Sequence, residues 1–510
     1  MLSRRLLTRG GAHWRPQLTA ANKPARAVHG IRFNSSGGGG PRSRIAGNIS
    51  SVIGALGGSG IYIAYREWTD GGVSKKPSAA AVAVPARGIP NLDDQGKGWR
   101  AEQVKYAPAP SSEDVTAMLN EGAASYSSGT VSSVANYDVA QLASNSPIED
   151  AYVHGRFSSP FKGSGGAAEE DWMAWAVFDG HCGWQTSNLL TKQLMPFVQK
   201  SLRDIGKLNP TDADIQQALQ TAFTKLDDML VTSAQATIEG DHSFPDKIRR
   251  LEPAFAGSCA LLALYNPATK SLHIASTGDC RAVVGSKDAN NNSNKWTTTF
   301  ETVDQTGANE DEKARIQKQF PDEPQILAGG RIWGMQPART FGDGGWKWDN
   351  DLRARLRREY NATALPSSVR YSGYKTGPYL TALPVVSTVK LPEAPSFMIL
   401  ATDGLWDTMS SEEAVDLVGR WTERKKGKLF ASSTAPPTTT APNVFGDIAC
   451  RYDNDFSTFQ DPNAAVHLMR NGLGGARNEL VRGALAFTSP AARYIRDDMT
   501  VQVVFFGDNQ

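Results

Sequence analysis

Apolar residues along this chain fall into short compact runs, separated by stretches with a helical period. Six runs have the length and the aliphatic and aromatic content of strands: WMAWAVF (172–178), CALLALY (259–265), SLHIAST (271–277), RAVVGS (281–286), SFMILAT (396–402) and TVQVVFF (500–506). Two segments, TDADIQQALQTAFTKLDDMLV (211–231) and SSEEAVDLVGRW (410–421), repeat apolar positions every three to four residues and predict amphipathic helices. A shorter helix is predicted at SSEDVTAMLN (111–120), where Ser111 or Ser112 precedes acids in the first turn. The short link inside CALLALYNPATKSLHIAST favours antiparallel pairing. The pattern therefore predicts a mixed α/β protein built on antiparallel sheets.

Composition changes this picture mainly at the N-terminus. The 510 residues are 40% hydrophobic and 21% charged, enough to bury a sizeable core, and the formal net charge is only +2. That charge is unevenly spread: residues 1–66 carry ten Lys and Arg and no acid, and the rest holds 44 bases against 52 acids. An Arg-rich, Ser/Thr-dotted, acid-free head reads as a mitochondrial targeting presequence over 1–44, in preference to a nucleic-acid-binding tail. Residues 45–65 (IAGNISSVIGALGGSGIYIAY) are uncharged and about as long as a membrane span, yet rich in Gly and Ser. Two readings stay open: an inner-membrane anchor or sorting segment, and a Gly-rich linker. Residues 66–95 read as a Pro/Ala/Gly linker, and the folded body begins near residue 96. Two stretches depart from the scaffold pattern, a mixed aromatic and charged one at 345–385, read as a lid or partner surface, and a Thr/Pro/Ala-rich one at 424–446.

Cys182, Cys259, Cys280 and Cys450 form no CxxC pair, and the seven histidines no HxxxH pair, so neither a zinc site nor a disulfide scaffold is expected. The acids are more informative. Glu149 and Asp150, Asp179, Asp403, and Asp497 and Asp498 each sit at the edge of an apolar run, and Asp279 lies in a turn between two strands. Asp-Gly is a common turn dipeptide, so each motif alone is ordinary. Together, strand-end carboxylates can converge on one rim, where crowded like charges make sense only around cations. Oxygen ligands without Cys or His point to a hard ion, Mg²⁺ or Mn²⁺. His181, directly after Asp179-Gly180, is placed to pass a proton to a leaving group. Cys182 raises a nucleophilic alternative, disfavoured because CGWQTSN lacks a following Arg loop.

The ordered set IEDAY, VFDGHCG, FAGSCALLAL, STGDCRAVVGS, QPARTFGD, LATDGLWD and RDDMTVQVV resembles the metal-dependent protein Ser/Thr phosphatases of type 2C, over roughly residues 130–507. Within that family, NYDVAQLASNSPIEDAY and YKTGPYLTALPVV are similar to the mitochondrial pyruvate dehydrogenase phosphatase branch and its fungal relatives. The resemblance implies a β-sandwich of two antiparallel sheets flanked by antiparallel helices, with a phosphatase domain over 96–510. It implies that Asp179 bridges two ions, with the Gly180 carbonyl on one, that Asp403 and Asp497 complete the other's protein ligands, and that Glu149 acts largely through water. Asp150 and Asp279 are further ligand candidates, the latter for a third ion, and His181 would be the general acid. The two ions, about 3.5–4 Å apart, would activate a shared water for hydrolysis of phosphoserine or phosphothreonine. The implied partners are a phosphoprotein and the pyruvate dehydrogenase complex, and the implied location is the mitochondrion; no nucleic-acid partner is expected. One departure stands out. Many family members carry a phosphate-gripping Arg four residues before the acidic pair, and here that residue is Asn145. The rival readings are a catalytically silent scaffold and a phosphatase of small phosphate esters.

Overall fold

A computed structural model describes residues 110–127, 131–161, 170–287, 295–360, 374–375, 377–425 and 450–507. The segments read as presequence (1–44), anchor or sorting segment (45–65) and linker (66–95), and nearly all of the stretch 424–446, lie outside the described residues. Among the described residues, no helix is long and apolar enough to cross a membrane.

Two antiparallel sheets stack face to face. One has six strands in the order Ala124–Ser127, Val134–Leu142, Met499–Phe506, Ser396–Ala401, Arg281–Lys287 and Trp296–Glu301. The other has five, in the order Val385–Lys390, Ser271–Thr277, Ala260–Asn266, Trp172–Phe178 and Ala151–Phe157. The strand Trp172–Phe178 shows why the sequence reads as unbroken apolar runs: all of its residues are buried, because alternate side chains serve two cores. Met173, Trp175 and Val177 fill the space between the sheets with Val139, Val284, Met398 and Val504. Trp172, Ala174, Ala176 and Phe178 face the other way and pack with Leu190 and Leu194 of the helix Gln185–Asp204 and Leu219 of the helix Asp212–Glu239. On the far side, the helices Ser411–Lys425 and Ala464–Gly472 bring Val415, Val418, Val466 and Leu468 onto Ile399, Val501 and Val503 of the six-stranded sheet. The expected sandwich with helices on both outer faces is what the chain forms.

Differences from the sequence pattern have local causes. The helix Asp212–Glu239 runs eight residues past the predicted end at Val231. Its polar last turns are held because Ala234 and Ile238 pack with Leu251 and Ala254. The helix Gln185–Asp204 falls outside the predicted set; it contains Pro196 and has no side-chain cap, so its start and middle carry none of the usual signals. Of the two candidate caps, Ser111 is the N-cap, exchanging hydrogen bonds with Asp114 at 2.9 and 3.1 Å. The described part of 345–385 contains the helix Asn350–Tyr360, and Trp348, Leu356 and Tyr360 pack with Leu230, Leu251 and Phe255.

A third, small sheet positions the chemistry. Gly257–Ser258 pairs on one side with Gly180–His181 and on the other with Phe341–Gly342, drawing three distant segments together at the end of the sandwich.

Candidate active site

Asp179 lies in the step between the strand Trp172–Phe178 and the two-residue strand Gly180–His181. The Asp-Gly pair is therefore not a turn. Its carbonyl accepts the Cys259 amide at 2.9 Å, Gly180 pairs with Ser258, and the chain reverses only afterwards, at Cys182 (φ 57°) and Gly183 (φ 125°). Close approach explains the glycine. A Cβ on Gly180 would lie 2.2 Å from the Glu149 carbonyl oxygen, and one on Gly404 would lie 2.1 Å from that of Asp498. Each Asp-Gly dipeptide thus lets a second acidic segment press against the first: 149–150 on 179–180, and 497–498 on 403–404.

The result is a well of carboxylates. Asp179, Asp279 and Cys259 place one ligand-capable atom each within 4.8 Å of one another. The Cys259 thiol donates to Asp279 Oδ1 at 3.1 Å. Asp150 is buried, and its Oδ2 accepts from the hydroxyls of Thr402 and Thr500, both at 2.8 Å. Asp403 opens the one-turn helix Asp403–Trp406 and exchanges a side-chain hydrogen bond with Asp179. Burial pushes the pKa of Asp179 well above the carboxylate range, and the charges of Asp403, Asp150 and Asp279 push it further. Asp403 is raised in the same way by burial and by Asp279, Asp407 and Asp150. Asp150 and Asp279 are also raised, with burial the largest cause for both. Buried acids whose ionisation is opposed by burial and by neighbouring carboxylates form a site short of positive charge.

Beside the well lies a second group organised differently. Asp498 is buried and accepts five hydrogen bonds: from the Ser144 amide and hydroxyl at 2.5 and 2.9 Å, from the Asn145 amide and side chain at 2.9 and 3.1 Å, and from the Glu149 amide at 2.9 Å. Arg496 ties the same segment through the Ala143 carbonyl at 3.0 Å. Asp497 contacts Arg493 and accepts the Asp498 amide at 2.6 Å. Glu149 is half-buried; burial and the Asp498 charge raise its pKa to about 7 against the opposing pull of His181 and Arg493.

His181 faces Asp343, with Nε2 2.7 Å from Oδ2. Burial opposes protonation of the imidazole, but the Asp343 carboxylate, its hydrogen bond and the charges of Glu149 and Asp279 outweigh it, so the pKa is raised. The small sheet builds this pair. A Cβ on Gly257 would lie 2.2 Å from both His181 Nε2 and Asp343 Oδ2, so only glycine leaves room for their contact. Asp343 is fully buried in a left-handed backbone conformation (φ 49°, ψ 44°), and its amide donates to the Ala256 carbonyl at 2.9 Å. Cys182 is no nucleophile: burial, reinforced by Asp343 and Glu149, pushes its thiol pKa far up, away from the thiolate.

Sequence reasoning passed over Asp343, Cys259 and Arg493. The motif QPARTFGD contains Asp343, but nothing local in it announces a partner 162 residues away. A hard divalent cation fits the site on the structure's own terms. The donors are nearly all carboxylate oxygens, their pKa values are raised by burial and then by neighbouring acids, which a cation would offset, and Asp343 Oδ1 is buried with no hydrogen-bond partner among the described residues.

Comparison with known proteins gives the family. The profile of the family described as Protein phosphatase 2C matches residues 145–442. A protein phosphatase 2C homolog of Schizosaccharomyces pombe is 36% identical over 384 residues, covering 73% of this chain and 80% of that protein. The mitochondrial [pyruvate dehydrogenase [acetyl-transferring]]-phosphatase 1 of Saccharomyces cerevisiae is 34% identical over 444 residues, covering 82% and 77%. Its human namesake is 26% identical over 487 residues, covering 81% and 86%. The chain belongs to the protein phosphatase 2C family and is a protein serine/threonine phosphatase. Its substrates are therefore phosphoproteins.

Proposed function

We propose that this phosphatase works in the mitochondrion on the pyruvate dehydrogenase component, at a centre of two Mg²⁺ or Mn²⁺ ions. The observation that carries the metal reading is the well itself, where Asp150 and Asp279 add to the effect of burial in raising the pKa of both Asp179 and Asp403. Asp179, the Gly180 carbonyl, Asp403 and Asp497 would hold the two ions, Glu149 through water. Asp150 and Asp279 would contribute further, Asp279 toward a third ion. When bound, such ions supply a nucleophilic hydroxide at neutral pH and neutralise phosphoryl oxygens.

The chain's own part is orientation and proton transfer. Water adds to phosphorus as the bond to the Ser or Thr oxygen breaks, and that oxygen needs a proton. Asp343 favours the protonated form of His181; with Nε2–H directed to Asp343 Oδ2, Nδ1–H would serve the departing oxygen. The products are the free hydroxyl residue and inorganic phosphate.

The substrate and location rest on the basic, acid-free head and on the likeness to the yeast and human mitochondrial pyruvate dehydrogenase phosphatases. Phosphoproteomics of mitochondria lacking this protein tests both. Phosphorylation should rise on the pyruvate dehydrogenase component; no rise there, with rises elsewhere, would replace that substrate with a broader set.

A further inference from the structure

A phosphoryl dianion entering a well of acids is bound more tightly where the protein adds a cation of its own. Asn145 does not provide one. It is neutral, and its side-chain amide already donates to Glu149 Oε2 at 3.4 Å and Asp498 Oδ2 at 3.1 Å, which uses both of its N–H groups. Arg281 is committed elsewhere: it makes a two-point pair with Asp304 at 3.0 and 2.6 Å, donates to Ser411 at 3.2 Å, and stacks on the Trp406 ring.

Arg493 is placed differently. It lies in the single turn Ala491–Tyr494, touches the Asp497 carboxylate through Nη1, and exposes only 18% of its side chain. Its charge acts on Glu149, Asp150, Cys182 and Asp407, which come from three separate segments around the well. Asp497 is followed by Asp498, whose carboxylate holds the Asn145 amide and side chain, so the Arg493 contact and the Asn145 contacts fall on adjacent residues of one segment.

Building on the phosphatase reading above, we propose that the Arg493 guanidinium grips the substrate phosphoryl group, taking the task that the residue at position 145 performs in many family members. The planar fork of donors suits two oxygens of one phosphate. Asp497 holds the guanidinium in place before substrate arrives, and its hold loosens when its carboxylate engages a cation.

The test is calorimetric binding of inorganic phosphate to the Mn²⁺-loaded protein, alongside phosphopeptide kinetics and a separate Mn²⁺ titration, for wild type, R493M, R493K and N145R/R493M. R493M should weaken phosphate binding and raise KM by about 10- to 100-fold, with kcat changed less and Mn²⁺ binding retained. R493K, which keeps the charge and loses the fork, should fall between, and N145R/R493M should recover phosphate affinity. Unchanged phosphate binding in folded R493M or R493K overturns the proposal. So does a loss that merely follows weakened Mn²⁺ binding, since Arg493 would then only position Asp497. If wild type hydrolyses no phosphopeptide yet binds phosphate through Arg493, the grip stands and the functional reading fails.

Discussion

Two aspartates illustrate how differently this molecule treats neighbouring acids. Asp498 is buried and satisfied: three backbone amides and two side-chain donors converge on it, and it clamps residues 144–149 to the end of the strand Met499–Phe506. Asp179 lies in the well close to Asp403, Asp150 and Asp279, whose charges oppose its ionisation. The contrast separates structure from chemistry. A buried carboxylate with a full set of donors is a fastener, whereas several carboxylates turned on one another mark a place that stable folding alone would not build.

The two regions should therefore respond in opposite ways to mutation. Around Asp179 itself, the largest effect is expected at Asp403→Asn, which should lower metal-dependent phosphopeptide turnover by about a thousandfold. In the metal-free state the same change should raise the melting temperature, because it removes a like charge; a lower one would mean that the repulsion has been misread. Next comes Asp343→Asn. With the carboxylate gone the imidazolium loses its main support, so kcat should fall by about 10- to 100-fold and the alkaline limb of its pH profile should move to lower pH. A fall in kcat with an unmoved limb would reduce Asp343 to a packing role.

Asp498→Ala tests the fastener. Leaving its donors unpaired should cost about 3 kcal/mol in a denaturant titration, with turnover affected mainly through the loosened 144–149 segment. The smallest effect is a pH trend. Glu149 has a folded pKa of about 7, above its ordinary value of 4.5. The folded protein therefore holds a proton that the unfolded chain releases, and this contribution is present below about pH 4.5 and lost as pH rises through about 7. Metal-free protein should melt progressively lower across that window, and saturating Mn²⁺ should flatten the trend.

The sandwich was legible wherever strands are buried on both faces, as in Trp172–Phe178 and Ser271–Thr277, whose bounds match their apolar runs. Strands interrupted by a charged residue were not: Val134–Leu142 carries the buried Asp138, and Ala151–Phe157 carries Arg156. The acidic motifs were legible because each abuts a strand. The meaning of their glycines was not, since Gly180 and Gly404 are set by the approach of Glu149 and Asp498, contacts that sequence spacing does not encode. Asp343 and Arg493 were hidden for the same reason. Their contacts, with His181 and with Asp497, are made by the small sheet and by the turn Ala491–Tyr494.

The central claim is that the Asp179 well exists to hold divalent cations for phosphate ester hydrolysis. Mn²⁺ titration by calorimetry, paired with phosphopeptide turnover, tests it most directly in wild type and Asp179→Asn. The account predicts Mn²⁺ binding and metal-dependent turnover in wild type, and the loss of both in a variant that remains folded. Turnover by Asp179→Asn at the wild-type rate would contradict it.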